Sequence, residues 1–270
     1  MSDLPSDLQT WFSECPQAIT AFSGGVDSSL VAWLARAFLG TEQHTAIISA
    51  SPSLKLSDLD EAKQFALEHD IPLQVIETKE LENPSYLANP VNRCFYCKHT
   101  LYTELEELAR SKGDCWILNG TNTDDQGDYR PGLKAAAQFE VRSPLLECGY
   151  SKQDVRDLAE SLQLECWNKP AAPCLSSRIP YGQRVTVFKL RRIEKAEAWL
   201  HQQGFPICRV RHVDEYGASV EVDPASLERL QSRSDELTMA FLEMGFKEVA
   251  IDPEGFVSGK LNRVIPTASS

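Results

Sequence analysis

A chain of 270 residues, 42% of them hydrophobic, is long enough for one large or two modest domains with real cores. Its net charge of −12 repels phosphate backbones and argues against a nucleic-acid partner, and no apolar run approaches membrane-spanning length. The N-terminal stretch MSDLPSDLQTWFSECP is acidic and lacks the basic-then-apolar order of a signal peptide, so the expectation is a soluble cytoplasmic protein. In that compartment eight cysteines point to thiol, metal or redox chemistry rather than structural disulfides.

The short apolar run Ala18 to Phe22 reads as a buried strand that stops at Ser23-Gly24-Gly25, after which Ser28 to Leu34 takes up helical spacing. Thr45 to Ala50 reads as a second strand. A helix from Ser57 to His69 follows, with Ser57 as its cap and Glu61 placed to help, then a third strand over Pro72 to Ile76. Asn92 to Lys112 is mostly helical, Cys115 to Asn119 is a fourth strand, and Val141 to Leu145 a short fifth. Ser151 and Asp154 form a capping pair for a helix that runs to Leu162. Strands alternating with helices predict an α/β fold, a doubly wound and mostly parallel sheet with helices on both faces.

The pattern changes after Gly182. Val187 to Gln203 is a helix closed by Gly204, and Ile207 to His212 and Ala218 to Val222 alternate as two-faced strands do. Pro224 to Met244 reads as one helix, and Lys247 to Ile251 as a final strand. The expected organisation is a nucleotide-binding domain over residues 1–182, a smaller α+β domain over 183–264 and a frayed tail over 265–270. The segment Lys169 to Gln183, with its three prolines, connects the halves and is a candidate functional loop.

The hexapeptide Ser23-Gly24-Gly25-Val26-Asp27-Ser28 lies between a buried strand and a helix. Two glycines let the backbone approach an anion, successive N–H groups and the helix N-terminus face it, and Ser23 and Ser28 add hydroxyl donors. Asp27 among those donors repels phosphate unless a divalent cation stands between, so Mg2+ is implied with ATP. No Gly-Lys-Ser/Thr follows, so the loop is not of the Walker type.

Cys94 and Cys97 form a CxxC in NRCFYCK, and Cys174 lies in the Pro-rich loop. A CxxC places two sulfurs on one metal or in one disulfide. Three thiolates suit a [4Fe–4S] cluster with one open iron better than structural zinc, which takes four ligands; His99 is the residue that would complete a zinc set. Cys115 and Cys208 fall in predicted strands and read as small core residues.

SGGVDS resembles the loop of the PP-loop ATP pyrophosphatases, which include GMP synthetase, NAD synthetase and the tRNA thiolases. The resemblance implies an adenine nucleotide alpha hydrolase-like fold and cleavage of ATP between its α- and β-phosphates while AMP joins a substrate oxygen. GTNTDD, with Gly120 and Asp124, resembles the second conserved segment of these enzymes, and Asp128 and Arg130 of DYRPG are candidates for the same site. The combination of SGGVDS, NRCFYCK, GTNTDD with DYRPG, PCLSSRIPYG and CRVRH resembles the LarE family, ATP-dependent sulfur transferases of nickel-pincer cofactor synthesis.

That resemblance implies a pyridinium-3,5-biscarboxylic acid mononucleotide as substrate, with thiocarboxylates as product. It also implies upstream and downstream enzymes of nickel-pincer synthesis as partners and a homo-oligomer, a hexamer, built through the smaller domain. Single-cysteine members sacrifice the sulfur of the residue matching Cys174; carrying Cys94 and Cys97 as well makes this chain similar to three-cysteine, cluster-based members. A persulfide relay is a further route. Lys98 is implied at the nucleotide phosphates, and Ser177, Arg178, Glu197, Arg209 and Arg211 at the substrate. Arg209 and Arg211 alternate on one strand, so both face the same side, and two guanidinium groups there suit a mononucleotide phosphate. The rival readings are tRNA thiolation, which calls for a basic groove, a nucleotide or redox sensor, and an ammonia-using synthetase, which leaves the three cysteines unexplained.

Overall fold

The computed structural model describes residues 4–127 and 131–264. Asp128, Arg130 and the expected frayed tail at 265–270 lie outside the described residues. The chain divides into two compact units, one of Met1–Glu80 with Asn92–Ala172, the other of Leu81–Val91 with Pro173–Ser270.

The first unit contains helix α1 (Ser6–Ser13), strand β1 (Ala18–Ala21), α2 (Val26–Leu39), β2 (His44–Ser49), α3 (Leu56–Glu68) and β3 (Leu73–Ile76). After α4 (Pro84–Leu87), which belongs to the second unit, come α5 (Arg93–Lys112), β4 (Trp116–Leu118), α6 (Pro131–Gln138), α7 (Pro144–Glu147) and α8 (Lys152–Ser161). The four strands are all parallel, in the order β3-β2-β1-β4. Successive strand residues point to opposite faces. Ala18, Ala46, Ile48 and Leu118 enter a core with α1, α2, α3 and α8, built on Phe12, Leu30, Phe65 and Val155. Ile19, Ala21, Ile47 and Ile117 enter a second core against Tyr102, Leu105 and Ala109 of α5 and Ala135 of α6. A sheet covered on both faces explains why β1 is apolar throughout except for Thr20. The expected α/β, doubly wound parallel sheet is the observed one.

Two local expectations for this unit are corrected. Ser57 does not cap α3: the helix begins at Leu56 with Lys55 at the cap position and no side-chain cap bond, so Ser57 is already inside the first turn. Val141 to Leu145 makes only an isolated bridge, Arg142 beside Leu118, because Pro144 starts the short helix α7. The capping pair at α8 is as expected, with Asp154 N–H on Ser151 Oγ at 3.2 Å and Ser151 N–H on Asp154 Oδ2 at 2.8 Å.

The second unit holds α9 (Val187–Gln202), β5 (Cys208–His212), β6 (Gly217–Val222), α10 (Leu227–Gln231), α11 (Ser234–Glu243) and β7 (Glu248–Ile251). β5 pairs antiparallel with β6, and β6 pairs parallel with β7. Cys208, Val210, Val220 and Val222 face Leu200, Leu230, Leu237 and Phe241 of the helices. The single helix expected over Pro224 to Met244 is instead a 3-10 turn followed by α10 and α11, broken at Ser232 and Arg233. The break lets Leu230 and Leu237 both reach the core. Segment 81–91 is stitched to 176–185. Tyr86 Oη lies 2.6 Å from Ser176 Oγ, Asn89 Nδ2 donates to the carbonyls of Ile179 and Pro180 at 3.1 and 2.8 Å, and Val185 N–H donates to Leu87 O at 3.0 Å. Among the described residues no helix is long and apolar enough to cross a membrane.

His44 opens β2 in a buried position, its Nε2 3.0 Å from Thr20 Oγ1. Burial, aided by Arg36, pulls its pKa down to about 3. The unfolded chain protonates this ring near its ordinary value of 6.5, whereas the folded chain does not. The unfolded state therefore binds the extra proton across that window, and the stability present above it is lost as pH falls from 6.5 toward 3. Urea midpoints measured between pH 7 and pH 4 should fall less steeply in His44→Gln than in the unmodified protein. Equal slopes would remove His44 as a source of acid sensitivity.

Candidate active site

The phosphate-binding loop owes its shape to where β1 ends. Gly24 takes φ +71°, a conformation that side chains rarely adopt, and a Cβ there would stand 3.0 Å from Ala62 Cβ of α3. Gly25 is extended and forms the N-cap of α2 without a side-chain bond, so the N–H groups of the first turn have no intrahelical acceptor. Ser28 Oγ accepts from Ser23 N–H at 3.2 Å, approaches Ser23 Oγ at 2.9 Å and donates to Gly25 O at 3.1 Å. Two glycines, two hydroxyls and a helix N-terminus thus surround one point at the carboxyl edge of the sheet, where polyanions bind.

The strand order places a second loop beside the first. β1 has β2 on one side and β4 on the other, so the turns leaving β1 and β4 are neighbours at a topological switch point. Their contact is intimate: a Cβ on Gly120 would lie 2.6 Å from both Asp27 C and Ser28 N. Asn122 Nδ2 donates to Asp27 Oδ1 at 3.0 Å, and Asn122 Oδ1 accepts from Asp124 N–H at 3.0 Å. Lys152, first residue of α8, brings Nζ to 2.5 Å from Asp27 Oδ2 and donates its backbone N–H to Asp124 Oδ2 at 3.2 Å. A cation therefore already stands on the Asp27 carboxylate, and the half-exposed oxygens fit a divalent ion at the same point. Lys169 Nζ donates to Gly24 O at 3.1 Å and pairs with Glu61 at 2.8 Å.

Sequence reasoning finds Ser23, Gly24, Gly25, Asp27, Ser28, Gly120 and Asp124, which the structure brings together. It misses Asn122, Lys152 and Lys169, which the structure sets against Asp27 and Gly24 of the same loop. Asn122 lies inside the segment already singled out. Lys152 had one usable signal, its place directly after the capping serine, and Lys169 had none.

Cys94 and Cys97 occupy the first turns of α5, three residues apart and so on one helical face, Cys94 exposed and Cys97 half-buried. The aligned peptide dipoles at a helix start favour anionic sulfur. Lys98 runs its stem past Gly132 of α6, with Nζ 5.8 Å from the centre of the Tyr102 ring. His99 turns to aromatic neighbours, 5.8 Å from Phe95 and 5.1 Å from Phe139 between ring centres. Among the described residues no three His, Cys, Asp or Glu side chains form a ready metal set.

Cys174 belongs to the second unit, exposed at the start of the 3-10 turn Leu175–Arg178. That turn is held by Arg178, which is only 1% exposed. Its guanidinium pairs with Glu197 of α9 through Nε to Oε1 at 2.9 Å and Nη2 to Oε2 at 3.2 Å, while Nη1 donates to Pro173 O at 2.6 Å, Cys174 O at 3.1 Å and Ser177 Oγ at 2.8 Å. Glu197 Oε1 also accepts from Val210 N–H at 3.1 Å, which ties the turn to β5. Arg211 donates to Ser177 O at 3.1 Å and to Glu221 at 2.6 Å, and Arg209 lies 5.0 Å from the Phe256 ring centre. Burial, then the neighbouring Arg178, lowers the pKa of Arg209, so added negative charge is welcome there.

Two outcomes follow from these contacts. Gly120→Ala forces backbone apart where β4 meets the phosphate loop, and should cost about 1–3 kcal/mol in urea denaturation together with nucleotide binding. Glu197→Ala strands a buried guanidinium and should destabilise by roughly 3–5 kcal/mol. Retention of stability in either variant would contradict the packing described.

Comparison with known proteins places these features. The NAD synthase family model matches residues 10–87. Protein slr1717 of Synechocystis is 43% identical over 96% of this chain and 97% of its own. The pyridinium-3,5-bisthiocarboxylic acid mononucleotide synthase of Lactiplantibacillus plantarum is 34% identical over 92% of this chain and 90% of its own. A glutamine-hydrolysing GMP synthase component of Pyrococcus abyssi is 25% identical over 69% of this chain and 64% of its own. A phosphate loop set against the β4 turn, and a cysteine turn held by Arg178 and Glu197, lie in a sequence whose similarity to the bisthiocarboxylate synthase spans both units: the chain belongs to the LarE family of PP-loop enzymes.

Proposed function

We propose that this chain is an ATP-dependent sulfurtransferase that converts the carboxylates of pyridinium-3,5-biscarboxylic acid mononucleotide to thiocarboxylates in nickel-pincer cofactor synthesis. The observation that carries the reading is the extent of similarity: 92% of the chain aligns with the bisthiocarboxylate synthase, against 69% for the GMP synthase component.

The chemistry has two steps. A carboxylate oxygen of the substrate attacks the α-phosphorus of ATP, the bond to the β-phosphate oxygen breaks, and pyrophosphate leaves. The loop Ser23 to Ser28 holds that pyrophosphate, Asp27 holds Mg2+, Gly120 and Asp124 complete the nucleotide site, and Lys98 offsets phosphate charge. The acyl carbon, now bearing an AMP leaving group, accepts a sulfur nucleophile, and AMP departs as the C–S bond forms.

Cys94, Cys97 and Cys174 are the sulfur-bearing residues. Cys94 and Cys174 are exposed and Cys97 is half-buried, and three cysteine sulfurs are a donor set that suits a [4Fe–4S] cluster with one open iron. Such a cluster, when bound, would supply a sulfide at its open iron. Arg209 and Arg211 bind the mononucleotide phosphate, and Ser177, Arg178 and Glu197 shape the turn that presents Cys174. Residues 183–264 form the substrate-binding and oligomerisation domain of a cytoplasmic homo-oligomer, a hexamer, which receives substrate from and passes product to neighbouring enzymes of the same synthesis.

Release of AMP and pyrophosphate should be stimulated by the pyridinium substrate and not by bulk tRNA; stimulation by tRNA alone would overturn the reading. Asp27→Ala should reduce ATP cleavage by at least about a hundredfold. Cys174→Ala should leave adenylation intact and stop thiocarboxylate formation. Protein purified without oxygen should contain iron and sulfide, and the intact mass after turnover should be unchanged. Active iron-free protein would exclude the cluster, and a mass loss at Cys174 would identify a sacrificial sulfur.

A further inference from the structure

The loop lacks the lysine that a Walker-type loop carries, yet an ammonium group is in contact with its only carboxylate. Lys152 Nζ lies 2.5 Å from Asp27 Oδ2, and the pair remains partly open to solvent, at 35% and 25% exposure. At that exposure the pair contributes little to stability, so the fold does not need it. The Lys152 backbone, by contrast, is fixed. The Ser151–Asp154 capping box closes around the helix start, and Asp124 Oδ2 accepts the Lys152 N–H at 3.2 Å. A rigid main chain with a hinged ammonium is an arrangement for exchanging partners.

We propose that Lys152 is a phosphate-binding residue of the adenylation step, parked on Asp27 until Mg2+ and ATP arrive. The inference rests on the adenylation reading. Electrostatics dictate the exchange. Asp27 cannot hold both an ammonium at 2.5 Å and a divalent cation on the same oxygens, because the two positive charges would be in contact. When Mg2+ takes the carboxylate, Lys152 leaves it. The anions then within reach of its four-carbon stem are the phosphates held by Ser23 to Ser28. Asn122, which stays on Asp27 Oδ1 at 3.0 Å, keeps the carboxylate aimed while its other oxygen changes partner. Lys152 thus neutralises Asp27 in the empty site, which otherwise sets a bare carboxylate among anion-binding donors, and neutralises pyrophosphate in the filled one. Lys169 does not share this behaviour, since it is held at once by Gly24 O and Glu61.

The test uses the full chain, the slowly cleaved analogue α,β-methylene-ATP with Mg2+, and Mn2+ alone as a paramagnetic stand-in. Lys152→Met should bind the analogue at least about tenfold more weakly than the unmodified protein, and Lys152→Arg should recover most of the loss. In the absence of nucleotide the order should invert. Lys152→Met should bind Mn2+ several-fold more tightly by electron paramagnetic resonance, because the competing ammonium is gone. A lysine with only a structural role would lower the melting temperature without tightening Mn2+. Unchanged analogue affinity, or unchanged or weakened Mn2+ binding in Lys152→Met, would overturn the proposal. If the unmodified protein fails to bind the analogue at all, the adenylation reading fails with it.

Discussion

Backbone meets backbone where Gly120 passes Asp27 and Ser28, and there is no room for a side chain between them: a Cβ on Gly120 would come within 2.6 Å of two main-chain atoms. This approach fixes the first turn of α2 against the turn after β4, and nearly every contact of the phosphate site follows from it. Asn122 can reach Asp27 only because Gly120 is that close, and Asp124 can receive the start of α8 only because Asn122 holds its N–H. The parallel sheet supplies the frame, since its switch in strand order puts the ends of β1 and β4 side by side.

The two units handle charge in opposite ways. In the first, the ionic contacts of the site are half-exposed and replaceable, as at Asp27 with Lys152. In the second, Arg178 and Glu197 are both 1% exposed and satisfy each other in a fork that also binds the carbonyls around Cys174. A buried pair of this kind gives little net stability but permits one geometry. The first arrangement yields to an incoming ion; the second holds the turn of Cys174 in one geometry.

What the sequence makes legible follows from how local each signal is. SGGVDS is contiguous and lies between an apolar run and an amphipathic one, so strand, loop and helix could all be read from it. The alternation of β5, with Arg209 and Arg211 between Cys208, Val210 and His212, is equally local. Lys152 is 125 residues from Asp27, and nothing near either residue in sequence announces the other. The misplaced cap at Ser57 shows a different limit: a serine with an acid four residues on satisfied the pattern, but Leu56 was already helical and Lys55 took the cap position. The resemblance implies Arg178 at the substrate, whereas its guanidinium is buried and paired with Glu197, nineteen residues on, on another element. The break at Ser232 and Arg233 was invisible because no proline or glycine marks it.

The excursion of residues 81–91 out of one unit and into the other bears on how the protein is made. Tyr86 and Asn89 find their partners Ser176 and Ile179 ninety residues further along the chain. During synthesis this segment emerges long before the residues that hold it, and the later part of the first unit, residues 92–172 with α5, β4 and α8, must be made between. The second unit cannot complete itself until the chain has returned past Val185. Contacts so distant in sequence also slow folding, because the loop between them must close before they contribute. A cut or a fusion placed between 92 and 172 would therefore injure both units, even though the residues removed or displaced belong to one.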